Sequence, residues 1–213
     1  MRLEIPLRLA PPGLRPLLPR RMLAGRVVPA EHYGSVDVFL EAFEQAQRGD
    51  VLVIGNEGRL DEGCIGDLIV LEARAAGIAG IVCWGAHRDS EELVRLDLPV
   101  FSYGVFPAGP TILRPRAADA LKSARLGGID VTRDDVVFAD ADGAVFVAAA
   151  DVDKVVREAA SIWATEREHV RLAAAGKTLR EQFAFTEYLQ KRAKDPSYTL
   201  RQHLRSRGSA IEE

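Results

Sequence analysis

Hydrophobic positions along this chain alternate between short apolar runs and stripes at helical spacing. Val36, Phe39, Leu40 and Phe43 recur at that spacing and predict a helix with Ser35 as its N-cap. Gly49-Asp50 turns the chain into Val51-Leu52-Val53-Ile54, a run that predicts a buried strand. A polar, glycine-bearing stretch from Gly55 to Gly63 predicts a loop. Gly66 then opens a helical segment whose apolar face includes Leu68, Ile69, Leu71, Ala73 and Ala76, and Gly77 is its terminator. Ile78 to Trp84 predicts a second buried strand, ended by Gly85. Ser90-Glu91-Glu92-Leu93 begins another short helix with Asp89 or Ser90 as cap, and Pro99 to Tyr103 predicts a third strand.

From about Gly127 the pattern changes. Ile129-Asp130-Val131, Asp135 to Ala139 and Ala144 to Ala148 predict short strands, the last two joined as a hairpin by Asp140-Ala141-Asp142-Gly143. Asp151 is placed to cap a long helix running to about Ala175, where Gly176 stops it. Leu179 to Lys194 predicts one further helix, ended by Pro196. The expected architecture is an α/β body over residues 25–150. An irregular Pro-, Arg- and Leu-rich lead-in (1–24) precedes it, and a helical C-terminal arm (151–213) follows. There is no internal repeat and no low-complexity tract.

Composition narrows the function classes. The 213 residues are 47% hydrophobic and 28% charged, ordinary for a soluble globular protein. The net charge of -3 leaves no electrostatic footprint for nucleic acid. The longest apolar run, Ala75 to Ala86, is too short to span a bilayer and is broken by glycines. Met1 to Pro6 has no long apolar stretch behind it, so no signal peptide is expected. Cys64 and Cys83 are too few for a four-thiolate zinc site and read as reduced thiols of a cytoplasmic protein. Partners on this reading are small molecules, with no nucleic acid and no membrane. No glycine-rich methyl-donor motif sits in a strand–turn–helix setting.

The chemistry concentrates in a split motif, Gly66-Asp67-Leu68 followed by Arg88-Asp89. If the strands before and after the Gly66 helix are parallel, both end at one sheet edge, where that helix begins. Asp67, Arg88 and Asp89 should then converge where open α/β sheets bind ligands. The helix start offers backbone N–H groups of Asp67, Leu68 and Ile69 to an anion, and Gly66 permits close approach. Arg88 can fork onto a carboxylate. Asp89 is a hard oxygen ligand for Mg²⁺ or Mn²⁺, and Asp67 can hold or deprotonate a water. A helix cap plus surface charges explains the same residues without chemistry. His87 reads more simply as structural, Asp140 and Asp142 as a turn, and Cys83 and Trp84 as core.

Further segments extend the motif: Gly49-Asp50-Val51-Leu52-Val53, Gly77-Ile78-Ala79-Gly80-Ile81-Val82, Gly85-Ala86-His87-Arg88-Asp89, Pro99-Val100-Phe101 and Asp140 to Val147. In their order and spacing the chain resembles the RraA-like family from about Ala24 to Gly176. That family includes class II 4-hydroxy-4-methyl-2-oxoglutarate aldolases and regulators of ribonuclease activity. The resemblance implies a swivelling-type α/β/β sandwich and a homotrimer or hexamer. It implies a metal-dependent lyase that releases pyruvate from 4-hydroxy-2-oxo acids, with oxaloacetate decarboxylation as a side activity. Arg88 and the amides around Leu68 and Ile69 would bind the α-keto acid, Asp89 the Mg²⁺ or Mn²⁺, and Asp67 a water. A Glu from a neighbouring subunit would complete the site; Glu166 matches best, with Glu168 close behind. The other branch implies a non-catalytic regulator of a ribonuclease. The proline-rich lead-in and Thr132-Arg133-Asp134-Asp135 depart from the family pattern and leave substrate choice and assembly open.

Overall fold

The computed structural model describes residues 3–208, and the chain forms two units. One is Pro6–Ala150; the other comprises the residues from Asp151 on with the first few of the chain.

The larger unit carries, in order, β1 (Arg8–Leu9), β2 (Arg15–Pro16), β3 (Leu23–Glu31), α1 (Asp37–Glu44), β4 (Val51–Ile65), α2 (Asp67–Ala75), β5 (Gly80–His87), α3 (Ser90–Leu96), β6 (Val100–Ser102), β7 (Gly104–Val105), β8 (Ser123–Leu126), β9 (Ile129–Thr132), β10 (Asp135–Asp140) and β11 (Gly143–Ala148). The main sheet runs β1-β11-β10-β3-β4-β5-β6-β2, with β7 added to β5. Its centre, β3 to β6, is parallel, and β10 joins β3 antiparallel.

Alternation along β4 explains the layers. Leu52 and Ile54 face a core shared with Phe39 of α1, Val70 of α2 and Leu93 of α3. Val51 and Val53 face the other core, with Ala124 and Leu126 of β8 and Val131 of β9. A strand buried on both faces reads as an unbroken apolar run, which is how β4 and β5 appear in the sequence. The α/β/β layering is therefore that of the expected sandwich. The lead-in adds a two-residue strand at each edge of the sheet, and Arg8 of β1 forks onto the buried Asp135 at 3.0 Å through Nη1.

Several local expectations change. The stretch from Gly55 to Gly63 is not a loop: β4 continues to Ile65, with register shifts against β5 between Gly55, Arg59, Gly63 and Ile65. Glu57 and Gly58 turn through positive φ (55° and 67°), and each bulge lets the strand resume pairing. Gly85 does not end β5, because Gly85, Ala86 and His87 keep partners on that bulged strand. Ser35 is not the N-cap of α1; Val36 holds that position without a side-chain bond. β8 and the nine-residue β3 escaped the sequence reading, as did the two-residue strands β1, β2 and β7.

In the C-terminal unit, α4 runs Val152–Ala174 after a 3-10 turn, Ala149–Asp151. Asp151 occupies its N-cap but makes no capping bond with its side chain. The single helix expected over 179–194 is two, α5 (Leu179–Gln182) and α6 (Phe185–Lys194), broken where Ala184 turns to φ 47°. A further helix, α7 (Leu200–Ser206), follows Pro196. Phe183, Tyr188, His203 and Leu204 are buried, and His203 Nε2 lies 2.9 Å from the Phe183 carbonyl oxygen.

Candidate active site

Strands β4 and β5 are parallel, so their carboxyl ends and the start of α2 meet at one sheet edge. Three charged residues meet there, Arg88 and Asp89 through their side chains and Asp67 through its backbone N–H. Asp89 sits at φ 59°, in the left-handed region that Asp tolerates better than most residues. In that conformation its carboxylate does not cap its own helix, α3. Its Oδ2 instead accepts from the Asp67 backbone N–H of α2 at 3.2 Å. Arg88 Nε lies 3.4 Å from the same oxygen. Asp67 in turn takes the Leu68 N–H on Oδ1 at 2.7 Å. Of the three amides expected to face an anion, those of Asp67 and Leu68 are thus held by carboxylates. Leu68 projects outward, 72% exposed, while the Ile69 side chain is buried in the helix-side core.

Gly66, the N-cap of α2, is required by space rather than by backbone angle, its φ being -144°. A Cβ there would strike the Asp89 carboxylate and come within 2.8 Å of Arg88 Nε. Arg88 is enclosed by two further glycines. A Cβ on Gly63 would lie 2.9 Å from Arg88 Cβ, and one on Gly109 would lie 2.7 Å from Nη1. The chain bearing Gly109 is tied down by two backbone bonds, Gly63 N–H to Ala108 O (2.7 Å) and Phe106 N–H to His87 O (2.8 Å). Neither Gly63 nor Gly109 was singled out in the sequence; Pro107-Ala108-Gly109-Pro110 was the available signal.

His87 is structural, as expected. Its Nδ1 meets Ser102 Oγ at 2.8 Å and its Nε2 meets Ser90 Oγ at 3.0 Å, so both ring nitrogens hold the ends of flanking elements. Burial keeps its pKa below the ordinary value. Cys64 and Cys83 are buried free thiols, and burial, reinforced by the Cys83 thiol, pushes Cys64 up. Asp140 and Asp142 form a turn, Asp142 N–H donating to Asp140 Oδ1 at 2.9 Å. They rim a 640 Å³ apolar groove with Pro11, Pro12, Phe138 and Val145, remote in character from the charged cluster. A 260 Å³ cleft opens directly beside Asp67, lined by Leu68, Leu71, Glu92, Arg95 and Leu96.

The donor set bears on a metal. Among the described residues no group of three or more His, Cys, Asp or Glu side chains is gathered to hold one. Two carboxylates at a helix start suit Mg²⁺ or Mn²⁺, which keep waters and take the rest of their shell from substrate. Glu166 and Glu168 lie on exposed positions of α4 in the C-terminal unit, Glu168 paired with Arg171 at 2.7 Å. No helix of the described residues is long and apolar enough to cross a membrane.

Comparison with known proteins places this geometry in a family. The family model for RraA-like proteins, described as Aldolase/RraA, matches residues 3–146, so the likeness takes in the lead-in as well as the body. An uncharacterised protein of Pseudomonas syringae pv. tomato superposes with a TM-score of 0.71 at 26% identity, covering 81% of this chain and 84% of that one. RraAS2 of Streptomyces coelicolor, described as an unusual member of the RNase ES inhibitor RraA family, superposes with a TM-score of 0.63 at 30% identity over 72% and 79% of the two chains. Protein DlpA of Legionella pneumophila is 28% identical over 147 residues, 68% of this chain but 24% of that protein's length. The chain belongs to the RraA-like family.

Proposed function

We propose that this protein is a divalent-metal-dependent lyase that cleaves 4-hydroxy-2-oxo acids to pyruvate and decarboxylates oxaloacetate. The observation that carries the reading is the meeting of Asp67, Arg88 and Asp89 at the start of α2, with Gly66 stripped of a side chain between them.

Arg88 forks onto the α-keto acid carboxylate and fixes its plane, a task its rigid guanidinium suits better than a lysine would. The dipole of α2 adds positive potential beside it, although the Asp67 and Leu68 amides themselves are held by carboxylates. Asp89 would hold Mg²⁺ or Mn²⁺. When bound, the ion supplies Lewis-acid stabilisation of negative charge on the 2-oxo oxygen. Asp67, through a water, takes the proton of the C4 hydroxyl. The C3–C4 bond breaks, its electron pair passes into the pyruvate enolate, and a proton returned to C3 completes pyruvate. Glu166 of the partner subunit completes the site in a homotrimer or hexamer.

Full-length protein with Mg²⁺ and oxaloacetate or 4-hydroxy-4-methyl-2-oxoglutarate is expected to release pyruvate, and Asp89→Ala to abolish that release while keeping the fold. Silence across a panel of 4-hydroxy-2-oxo acids would sink the reading. The second reading, a non-catalytic ribonuclease regulator, is supported by the 30% identity to RraAS2. Capture of a ribonuclease by a protein without metal-dependent turnover would favour it.

A further inference from the structure

Glu62, next to Gly63 in β4, is 3% exposed, a place where a carboxylate is rarely found without a role. Arg114 forks onto it, Nη2 to Oε1 at 2.9 Å and Nη1 to Oε2 at 3.4 Å. The Arg114 guanidinium holds the Glu62 carboxyl below its usual range against the opposing effect of burial. Around the pair, Asn56 Oδ1 lies 3.4 Å from Arg114 Nη2 and 2.9 Å from His32 Nδ1, and Arg59 Nε lies 3.5 Å from Glu62 Oε1.

The position of this pair in the chain gives it a use. Glu62 adjoins Gly63, one of the glycines against Arg88. Arg114 lies within the irregular segment between β7 and β8 that also carries Gly109, the glycine against the tip of Arg88. The same segment is backed by Arg114 N–H to Tyr33 O at 2.8 Å and by the backbone of Ile112, packed against Gly34. The two walls of the Arg88 slot are therefore joined by this bidentate, largely buried ion pair as well as by the Gly63 N–H to Ala108 O bond. A buried pair of this kind is weak evidence for stability, since apolar residues of similar volume often serve the fold as well or better. What it supplies is a directional link between two backbone segments.

We propose that Glu62 and Arg114 are positioning residues for Arg88: their ion pair closes the 106–114 segment over the guanidinium and fixes the fork that receives the substrate carboxylate. The inference rests on the lyase reading of the Asp67–Arg88–Asp89 site.

The test is steady-state kinetics on oxaloacetate with Mg²⁺, paired with calorimetric binding of oxalate, a planar dicarboxylate that resembles the pyruvate enolate. The double variant Glu62→Met/Arg114→Met keeps volume and removes both charges of the pair; Arg59 loses Glu62 Oε1 but keeps Asp61 at 3.2 Å, so the variant should fold with a Tm near that of the wild type. Its KM and its Kd for oxalate should each rise about tenfold, the penalty of a slightly misplaced binding group, with kcat changed less than KM. Arg114→Lys, which keeps the charge but not the fork, should fall between the two. Gly109→Ala, which crowds Arg88 directly, should raise KM with the pair intact. A double variant with wild-type KM and Kd overturns the positioning role while leaving the lyase reading standing. A wild-type protein that neither releases pyruvate nor binds oxalate overturns both.

Discussion

Asp89 shows how one residue's backbone sets a site. Held at φ 59°, it turns its carboxylate away from α3 and onto the first amide of α2, which draws Arg88 to the same oxygen. Gly66 makes room for that arrangement. Gly66→Ala should therefore cut catalytic efficiency by 100-fold or more, while stability falls by only about 1–3 kcal/mol, because the strained atoms lie at a half-exposed edge. Pyruvate release and a urea titration would check both. His32 offers a separate, pH-dependent prediction. Its ring stacks on Phe39 at 5.1 Å, and burial lowers its pKa, Arg114 and Arg59 assisting while Asn56 and Glu62 oppose. The unfolded chain then takes up a proton at His32 below about pH 6.5, where the folded protein still does not. Stability should be flat above that pH and fall by at most about 1.4 kcal/mol per pH unit as pH drops through the window below it. Denaturant titrations at pH 7.5 and 5.5 would show the slope, and His32→Gln should reduce it, the buried His87 keeping its own share. The triad itself was legible because its spacing, Asp67 then Arg88-Asp89, spans one strand–helix–strand unit. Gly63, Gly109, Glu62 and Arg114 were not, because they converge from segments with no periodic signal.

At the scale of elements, tertiary pairing overrode composition in β4. Its second half is polar and glycine-bearing, yet it is strand, because β5 presents edge hydrogen bonds as far as His87 and bulges absorb the surplus residues. Asn56 and Glu62 are buried there, so the polar pattern that reads as a loop marks an interior network instead. The helix break at Ala184 was equally hidden, since alanine carries no breaking signal. The caps beside it were readable and were passed over. Thr178 and Thr199 each form a reciprocal capping box, with Glu181 and Gln202. Thr199→Ala should lower the stability of α7 by about 1 kcal/mol, and hydrogen exchange should quicken at the Gln202 amide while that of β5 stays unchanged.

For the whole molecule, α4 is the long element that its own unit leaves uncovered. None of its 23 residues is buried, and Val156, Trp163 and Val170 recur every seven residues at 47%, 63% and 52% exposure. An apolar seam of this kind suits a second copy of the chain, in keeping with the homotrimer or hexamer proposed above. Trp163→Glu should lower the mass seen by sedimentation toward that of a monomer. If Glu166 of the partner subunit completes the site, pyruvate release should fall by at least tenfold in the same preparation.

By itself the sequence determined the α/β class, the order of strands and helices from α1 to β6, the β10–β11 hairpin and the three charged residues of the candidate site; β1, β2 and the central β3 were not read from it. These are local patterns: apolar runs at strand length, stripes at helical spacing, and glycines at turns. Tertiary structure alone decided that β4 runs on to Ile65, that β8 and β9 cover the sheet face opposite the helices, and that Asp89 serves the start of α2 rather than α3. It also decided that glycines from two distant segments close around Arg88, and that Glu62 and Arg114 join those segments. Each is a contact between parts of the chain far apart in sequence, where the geometry comes from packing the layers together and no residue spacing records it.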